Sequence, residues 1–390
     1  MAKPEVFANT VGTETATGSV APRGRHHRFG AFMAISGQHR VVFWGIGAIG
    51  TEMLTAILDH RRDLQIAGAR VYSPEKNGVD IAELIGRAPI GVTATTDVAE
   101  ILALDADCVL YTPRNTSIDD VCAILASGKN VVTTAFLFHP RRIDADDRDR
   151  LFRACQAGGS SVHGSGLNPG NLSGVLPLAL SGMSRRIDRI TLQERADWSF
   201  YDSTAITFDN MAFGQPVEDI SPTTNDFLAF NSGIFTDEVW LMADALNAGI
   251  DEVTATVEAV AATKDHQIFD HVLRAGTTAG QRWSWAGRRG GETLVEIEAL
   301  WTVGGEYPPH WPKPQHGWTL TIDGDPTMRT HFLVMAGSPS ATMLEHVTAS
   351  NVATAMQILN AVPAVCEAPP GFATMADLPL IRSVTGFGNS

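Results

Sequence analysis

The sequence predicts an α/β chain: an N-terminal doubly wound parallel sheet, then a second α+β domain with a mainly antiparallel sheet. Three observations carry that prediction. An apolar run at residues 41–50, VVFWGIGAIG, breaks into Gly45-x-Gly47-x-x-Gly50 and leads straight into an amphipathic pattern. Strand-like and helix-like stretches then alternate as far as about residue 163. After residue 172 the rhythm shifts to a period of two, the mark of half-buried strands.

The elements of the first half follow in order. Arg40–Trp44 reads as a buried strand, and Ala48–His60 as a helix with Ile49, Met53, Leu54 and Ile57 on one face. Leu64–Tyr72 is the second strand. Asp80–Ile85 is a short helical stretch, Val92–Thr95 a short strand and Val98–Ala103 a helical turn. Asp107–Tyr111 is a buried strand stopped by Thr112-Pro113. Ser117–Ser127 is a helix closed by Gly128, where a left-handed residue is wanted. Asn130–Thr134 is a strand, Ala145–Gln156 a helix, and Ser161–His163 a last strand. Repeated βα units of this length imply a parallel Rossmann sheet over residues 39–171, with ligands outside the carboxyl ends of the strands.

In the second half, residues 172–390, Val295, Ile297, Ala299, Trp301 and Val303 alternate with their neighbours, as do Trp318, Leu320 and Ile322. Gly324-Asp325-Pro326 predicts a turn into a strand at His331–Met335, which makes a hairpin. Ile187–Glu194 and Val253–Ala261 are further strands. Helices are expected at Asp237–Asn247 and at Ala341–Asn360, the latter ended by Pro363 and positioned to pack back on the first domain. This half reads as a domain for substrate binding and dimerisation.

Composition narrows the function classes. A chain of 390 residues exceeds one core. The net charge of −14 argues against nucleic acid, which wants a basic surface. Cys108, Cys122, Cys155 and Cys366 are scattered without a CxxC pair, so neither a disulfide framework nor a metal site is expected, and a reducing cytoplasmic location is. No apolar run reaches the ~18 residues of a membrane span. Residues 1–38 lack periodicity and carry a basic knot at Arg23–Arg28, which predicts a disordered extension without the apolar core of a secretory signal.

The glycine turn, Gly45, Ile46, Gly47, Ala48, Ile49 and Gly50, has the form that seats a dinucleotide pyrophosphate. Gly45 allows the turn, Gly47 lets backbone approach phosphate, and Gly50 lets helix pack on strand. An NAD site usually ends its second strand in an acid. Here that position holds Ser73, with Lys76 and Arg70 nearby, which favours a 2′-phosphate and so NADP over NAD. Glu75 keeps NAD open. Thr112, Pro113 and Thr133 lie at strand ends beside the expected nicotinamide. His139 follows the fifth strand directly and has a suitable range for acid–base work. His163, Tyr201, Glu194, Asp197 and Asp202 are the other proton-transfer candidates. Phe136 and Phe138, with Trp198 and Phe213, predict an apolar substrate pocket, although such aromatics also serve as ordinary core. No Gly-x-Ser-x-Gly, HExxH or Walker lysine motif occurs.

Several stretches together resemble the dihydrodipicolinate-reductase-like oxidoreductases, in the branch of 2,4-diaminopentanoate dehydrogenases and native amine dehydrogenases. They are the glycine turn, Ser73–Gly78 with Asp80 and Glu83-Leu84, Gly164–Gly170 (GSGLNPG), Ala196–Trp198, Asp209–Gly214, Asn360–Pro363 and Ala368–Gly371. The resemblance implies a homodimer that interconverts amines with ketones and ammonia using NAD(P). It also implies that Asn168 holds the nicotinamide carboxamide, a residue that otherwise reads as a turn asparagine before Pro169. One departure stands out. That branch carries a glutamate after the fifth strand, in a stretch like STCEELSYP, and here Ala135 and Phe136 occupy the acidic positions. Two readings follow: an oxidoreductase acting on a small, largely apolar ketone, imine or amine, or a silent NADP-binding sensor or scaffold.

Overall fold

The computed structural model describes residues 38–384 apart from 202, 306 and 312–314. The expected extension at 1–38 lies outside the described residues except for its last position, as does the candidate Asp202. The first half is built from β1 (His39–Trp44), α1 (Ala48–His60), β2 (Leu64–Arg70), β3 (Ala94–Thr95), α2 (Val98–Ala103), β4 (Cys108–Tyr111), α3 (Ile118–Ala126), β5 (Asn130–Thr133), α4 (Ala145–Gly158) and β6 (Ser161–Gly164). Local chemistry marks the helix ends. The Ser117 hydroxyl accepts from the Asp120 amide to open α3, Asp144 caps α4, and Gly159 closes α4 in the left-handed region at φ 65°.

The second half contains α5 (Leu176–Ser181), β7 (Arg186–Asp197), α6 (Asp226–Ala245), β8 (Glu252–Ala261), β9 (His266–Ile268), β10 (His271–Leu273), β11 (Thr278–Arg289), β12 (Glu292–Thr302), β13 (Gly317–Asp325), β14 (Met328–Phe332), α7 (Met343–Glu367) and β15 (Gly371–Phe372). The first sheet is parallel throughout, in the order β15-β6-β5-β4-β1-β2-β3. Strand order reverses at β1, between β2 and β4, so the glycine turn sits at the switch point where such sheets bind ligands. The second sheet runs β14-β13-β7-β12-β11-β8 and is antiparallel except for the β7/β12 pair. The predicted fold class is the observed one.

Elements α5, β9, β10 and β15 are absent from the expected set; four further differences have a physical reason. The alternation rule missed β11. It lies between β8 and β12 and is buried on both faces, so its TAGQRWSWAGRR has no period of two. Helix α6 begins at Asp226, well before Asp237, because Asn225 caps it through the amides of Phe227 and Leu228. Strand β14 spans Met328–Phe332, not His331–Met335, because the hairpin turn after Asp325 is tighter than expected. Helix α7 runs through Pro363 to Glu367.

The last difference rests on Arg61. Proline has no N–H, so Pro363 leaves the carbonyl of Leu359 without its helical donor. Arg61, buried at the end of α1, supplies one: its Nη2 donates to Leu359 O at 3.1 Å and its Nη1 to Asn360 Oδ1 at 3.0 Å. Asp63 holds the other edge of the guanidinium through two bonds of 2.8 Å. Although burial pushes the Asp63 carboxyl up, the Arg61 fork outweighs it and leaves the pKa lowered. Around this clamp α7 shares one apolar core with α1 and the parallel sheet, Ile358, Leu359 and Val362 packing with Phe43, Met53 and Leu54.

Replacing Arg61 by Met should therefore cost about 3 kcal/mol or more in urea unfolding, the usual effect of breaking a buried, paired charge. Adding Pro363→Ala to that variant should recover part of the loss, because residue 363 then offers its own amide to Leu359. No recovery would count against this account of the helix.

Candidate active site

The glycine turn has the shape its spacing predicts. Gly45 lies at φ 95°, donates its amide to Arg70 O at 3.0 Å, and passes beside Thr112-Pro113, whose Oγ1 at Thr112 donates back to Gly45 O at 3.3 Å. A Cβ on Gly50 would stand 2.9 Å from Gly45 O, so helix and strand meet only with glycine there. Beside Gly47, the N-cap of α1, a Cβ would meet nothing within 4 Å, and the first turn carries no acid. Free amides, the positive end of the helix and open space together suit an anion.

At the end of β2, Ser73 leads into a tight turn at Pro74–Lys76, with Lys76 N donating to Ser73 O at 3.0 Å. The Ser73 hydroxyl makes no capping bond. The Arg70 guanidinium lies over the Tyr72 ring at 4.6 Å and near Trp44 at 5.9 Å, while Trp44 Nε1 donates to the Tyr72 hydroxyl at 3.1 Å. Arg70 is thus held at the same strand end as Ser73 and Lys76.

A cavity of about 260 Å³ opens where the segment after β6 meets the second sheet and α7. Leu167, Asn168 and Pro169 form one wall; Trp198, Tyr201, Phe227 and Phe235 another; Ser350, Asn351 and Thr354 of α7 a third. Glu194 of β7 lines it as well, and three donors, two on the neighbouring strands β12 and β13 and one on the segment after β6, grip its carboxyl group. Trp301 Nε1 donates to Oε1 at 2.9 Å, Trp318 Nε1 to Oε2 at 3.1 Å, and Asn168 Nδ2 to Oε2 at 2.5 Å. Burial raises the Glu194 pKa, and these bonds oppose the rise only in part. Asn168 Oδ1 and Trp198 Nε1 are buried without a partner among the described residues, an acceptor and a donor left over at the cavity wall.

Of the residues expected in the pocket, the structure brings Trp198 and Asn168 together with Glu194 and Tyr201. Phe213 is fully buried behind Trp198, ring centroids 6.3 Å apart. Phe136 and Phe138 do not line the cavity. Strand β5 ends at Thr133, whose Oγ1 takes the Ala135 amide, and Leu137 turns into the left-handed region at φ 70°. The alternation that would aim both rings at the mouth is therefore broken. Phe136 packs edge-on against Tyr111, and Phe138 joins Leu241 and Met375.

His139 is likewise elsewhere. It is buried, with Nε2 3.0 Å from Asp244 near the end of α6, and Arg141 reaches the same carboxylate. Burial lowers its pKa against the pull of Asp244. It ties a loop to a helix and does not reach the cavity. His163 is buried with Nδ1 2.6 Å from Ala373 O, and Asp197 caps the turn at Trp198–Phe200 through the Ser199 amide. Trp301 and Trp318 were visible as strand residues but not as ligands of an acid. They lie 107 and 124 positions from Glu194, and only strand pairing sets them beside it.

A glycine turn at the switch point of a parallel sheet, in a chain whose second sheet lines a pocket with a half-buried carboxyl group, defines a class: nicotinamide-dependent oxidoreductases of Rossmann type. The chain belongs to the 2,4-diaminopentanoate dehydrogenase family, since residues 173–389 match the model for the C-terminal domain of that enzyme. An amine dehydrogenase from Streptomyces virginiae is 29% identical over 372 residues, covering 89% of this chain and 98% of its own. A 2,4-diaminopentanoate dehydrogenase from Acetoanaerobium sticklandii is 23% identical over 356 residues, covering 89% and 95%. The solved amine dehydrogenase of Mycobacterium smegmatis shares the fold with a TM-score of 0.71 at 20% identity, over 90% of this chain and 99% of that one. The chain is an NAD(P)-dependent oxidoreductase of the kind that acts on amines. No helix among the described residues is long and apolar enough to cross a membrane.

His163 gives this assembly an acid limit. Burial lowers its pKa from 6.5 to about 4, so the unfolded chain takes up a proton before the folded one does. Its contribution is complete above about pH 6.5 and declines toward pH 4 by ~1.4 kcal/mol per unit. His163→Asn should flatten that part of the stability curve in urea titrations across this range. A slope equal to the wild type's would show that another group sets the acid limb.

Proposed function

We propose that this enzyme interconverts a small, largely apolar amine with its ketone or imine, prefers NADP, and handles the reacting nitrogen through Glu194. The observation that carries the reading is the seat of that carboxyl group: half-buried, raised in pKa, and gripped by two indoles and an amide on the wall of the cavity. The family's acid after β5 is replaced by Ala135 and Phe136, and Glu194 is the carboxyl group this chain places in the cavity.

The residues fit the cofactor. Gly45–Gly50 and the amides opening α1 would hold the diphosphate, Ser73, Lys76 and Arg70 the 2′-phosphate, and Thr112, Pro113 and Thr133 would border the nicotinamide. Asn168 Oδ1, buried without a partner among the described residues, would accept from its carboxamide. When bound, the nicotinamide supplies or accepts the hydride. The chain's own residues do the rest. Glu194 as a carboxylate takes a proton from an ammonium group, and as the neutral acid returns one to a departing oxygen. Burial favours the neutral form and the three donors favour the carboxylate. Trp198, Phe227, Phe235 and Trp301 exclude water and favour an apolar substrate body. A cavity of about 260 Å³ suits a small one. Residues 39–171 then serve as the dinucleotide-binding domain and 172–390 as the substrate and dimerisation domain of a cytoplasmic homodimer.

Consumption of NADPH with small ketones should require ammonium. Glu194→Gln should lower kcat by roughly 10²–10⁴-fold, the range of acid–base catalysis, while leaving the Kd for NADPH unchanged. A Glu194→Gln enzyme with full ammonium-dependent turnover would refute the assignment. Lys76→Ala should weaken NADPH by about tenfold, the loss of one exposed charge-assisted contact of ~1.4 kcal/mol, and leave NADH unaffected. Tighter binding of NADH by the wild type would reverse the cofactor preference.

A further inference from the structure

We propose that Glu238 on α6 is a positioning residue for this site: it holds the Ser173–Gly170 turn and so sets the seat of Asn168 against Glu194. The proposal rests on the reading of Asn168 and Glu194 given above. Glu238 has no exposed surface, and nothing in the chemistry of the cavity uses it directly. Its Oε2 accepts from the Ser173 hydroxyl at 3.0 Å. The same hydroxyl accepts from the Gly170 amide at 3.0 Å. Gly170 lies two residues past Asn168 and is pressed against Ser165, where a Cβ on it would stand 3.3 Å from the Ser165 carbonyl carbon. The path is short and polar: Glu238, Ser173, Gly170, then the residue whose amide nitrogen grips Glu194.

The choice of an acid here is the informative point. A buried carboxyl group costs free energy that a leucine would not, unless its hydrogen bonds do something an apolar side chain cannot. Glu238 Oε1 has no partner among the described residues, which suits the neutral acid far better than the carboxylate. Burial pushes its pKa up to about 8, and Asp237 adds to the rise against the bonds from Ser173 and Gly170. The charged groups facing it are few. Asp237 is on its own helix, with Arg142 beyond it, while the packed segment 167–175 (LNPGNLSGV) carries no titratable side chain and Met375 none. Below pH 8 the turn is therefore held by an uncharged acceptor. Above it a negative charge appears under the Asn168 segment, draws the Ser173 and Gly170 donors inward, and shifts the amide that Glu194 depends on.

Trp301 and Trp318, two of the eight tryptophans, bond Glu194 directly, so their share of the intrinsic emission reads the seat without any turnover. The full chain is titrated from about pH 6 to 10 as wild type, Glu238→Gln and Ser173→Ala, a span bracketing the expected ionisation. The wild type should show an emission transition near pH 8. Glu238→Gln, which keeps an acceptor and cannot ionise, should abolish it, and Ser173→Ala, which cuts the path, should do the same. In turnover, Glu238→Leu should lower kcat about tenfold, as loss of a buried acceptor would, with Glu238→Gln restoring it. A transition that persists in either Glu238→Gln or Ser173→Ala, or a wild type flat across the range, overturns the proposal. The fluorescence pattern stands or falls independently of catalysis. If it holds while Glu194→Gln remains active, the catalytic reading fails and the link from Glu238 to Glu194 survives.

Discussion

The return of α7 onto the parallel sheet depends on Arg61. A proline inside a helix strands one carbonyl, and here the stranded group at Leu359 becomes the acceptor for a buried guanidinium anchored to Asp63. The irregularity is thus turned into a fixed joint between α1 and α7. That joint reaches the chemistry. Ser350, Asn351 and Thr354, roughly one and a half to two and a half turns before Leu359 on the same helix, form one wall of the cavity that Glu194 lines. A helix free to shift along its axis would open that wall. Stability and site geometry therefore share one interaction, as expected where a cavity lies between layers of a fold.

Glu194 shows how a fold can hold a half-buried acid without a cation bonded to its carboxyl group among the described residues. Isolated burial would hold the carboxyl group neutral; full satisfaction by cations would hold it ionised. Two indoles and an amide lie between these limits, since each donates a hydrogen bond without adding a charge. The aromatic side chains thus have two functions, as apolar lining and as the polar grip on the acid. In the proposed reading the acid of the pocket is Glu194 and not a residue of the segment after β5. That segment instead turns aside at Leu137 and packs Phe136 and Phe138 into apolar clusters.

Much of the fold was legible because its signals are local. The glycine turn, the caps at Ser117 and Asp144, and the two-residue alternation of β12 and β13 each act over a few positions. Strand β11 was not legible, because burial on both faces erases the period that would reveal it. The site was legible at its cofactor end for the same reason of locality, since Gly45, Gly47 and Gly50 are one turn. At its substrate end the sequence ranked His139 first by its place in the chain. The fold ties that ring to Asp244, and Glu194, one candidate among several, became the acid in the cavity.

The sequence by itself determined the class of fold, the place of the glycine turn and the resemblance to amine-acting dehydrogenases, because period, turn chemistry and short motifs are properties of neighbouring residues. Only the tertiary structure decided which carboxyl group faces the pocket and what holds it. Asn168, Glu194, Trp301 and Trp318 come from a loop and three strands, and no local pattern records that β7 pairs with both β12 and β13. The same holds for Pro363, which reads as a helix stop along the chain. It becomes a helix interior once Arg61, some three hundred residues away, supplies the hydrogen bond that proline cannot.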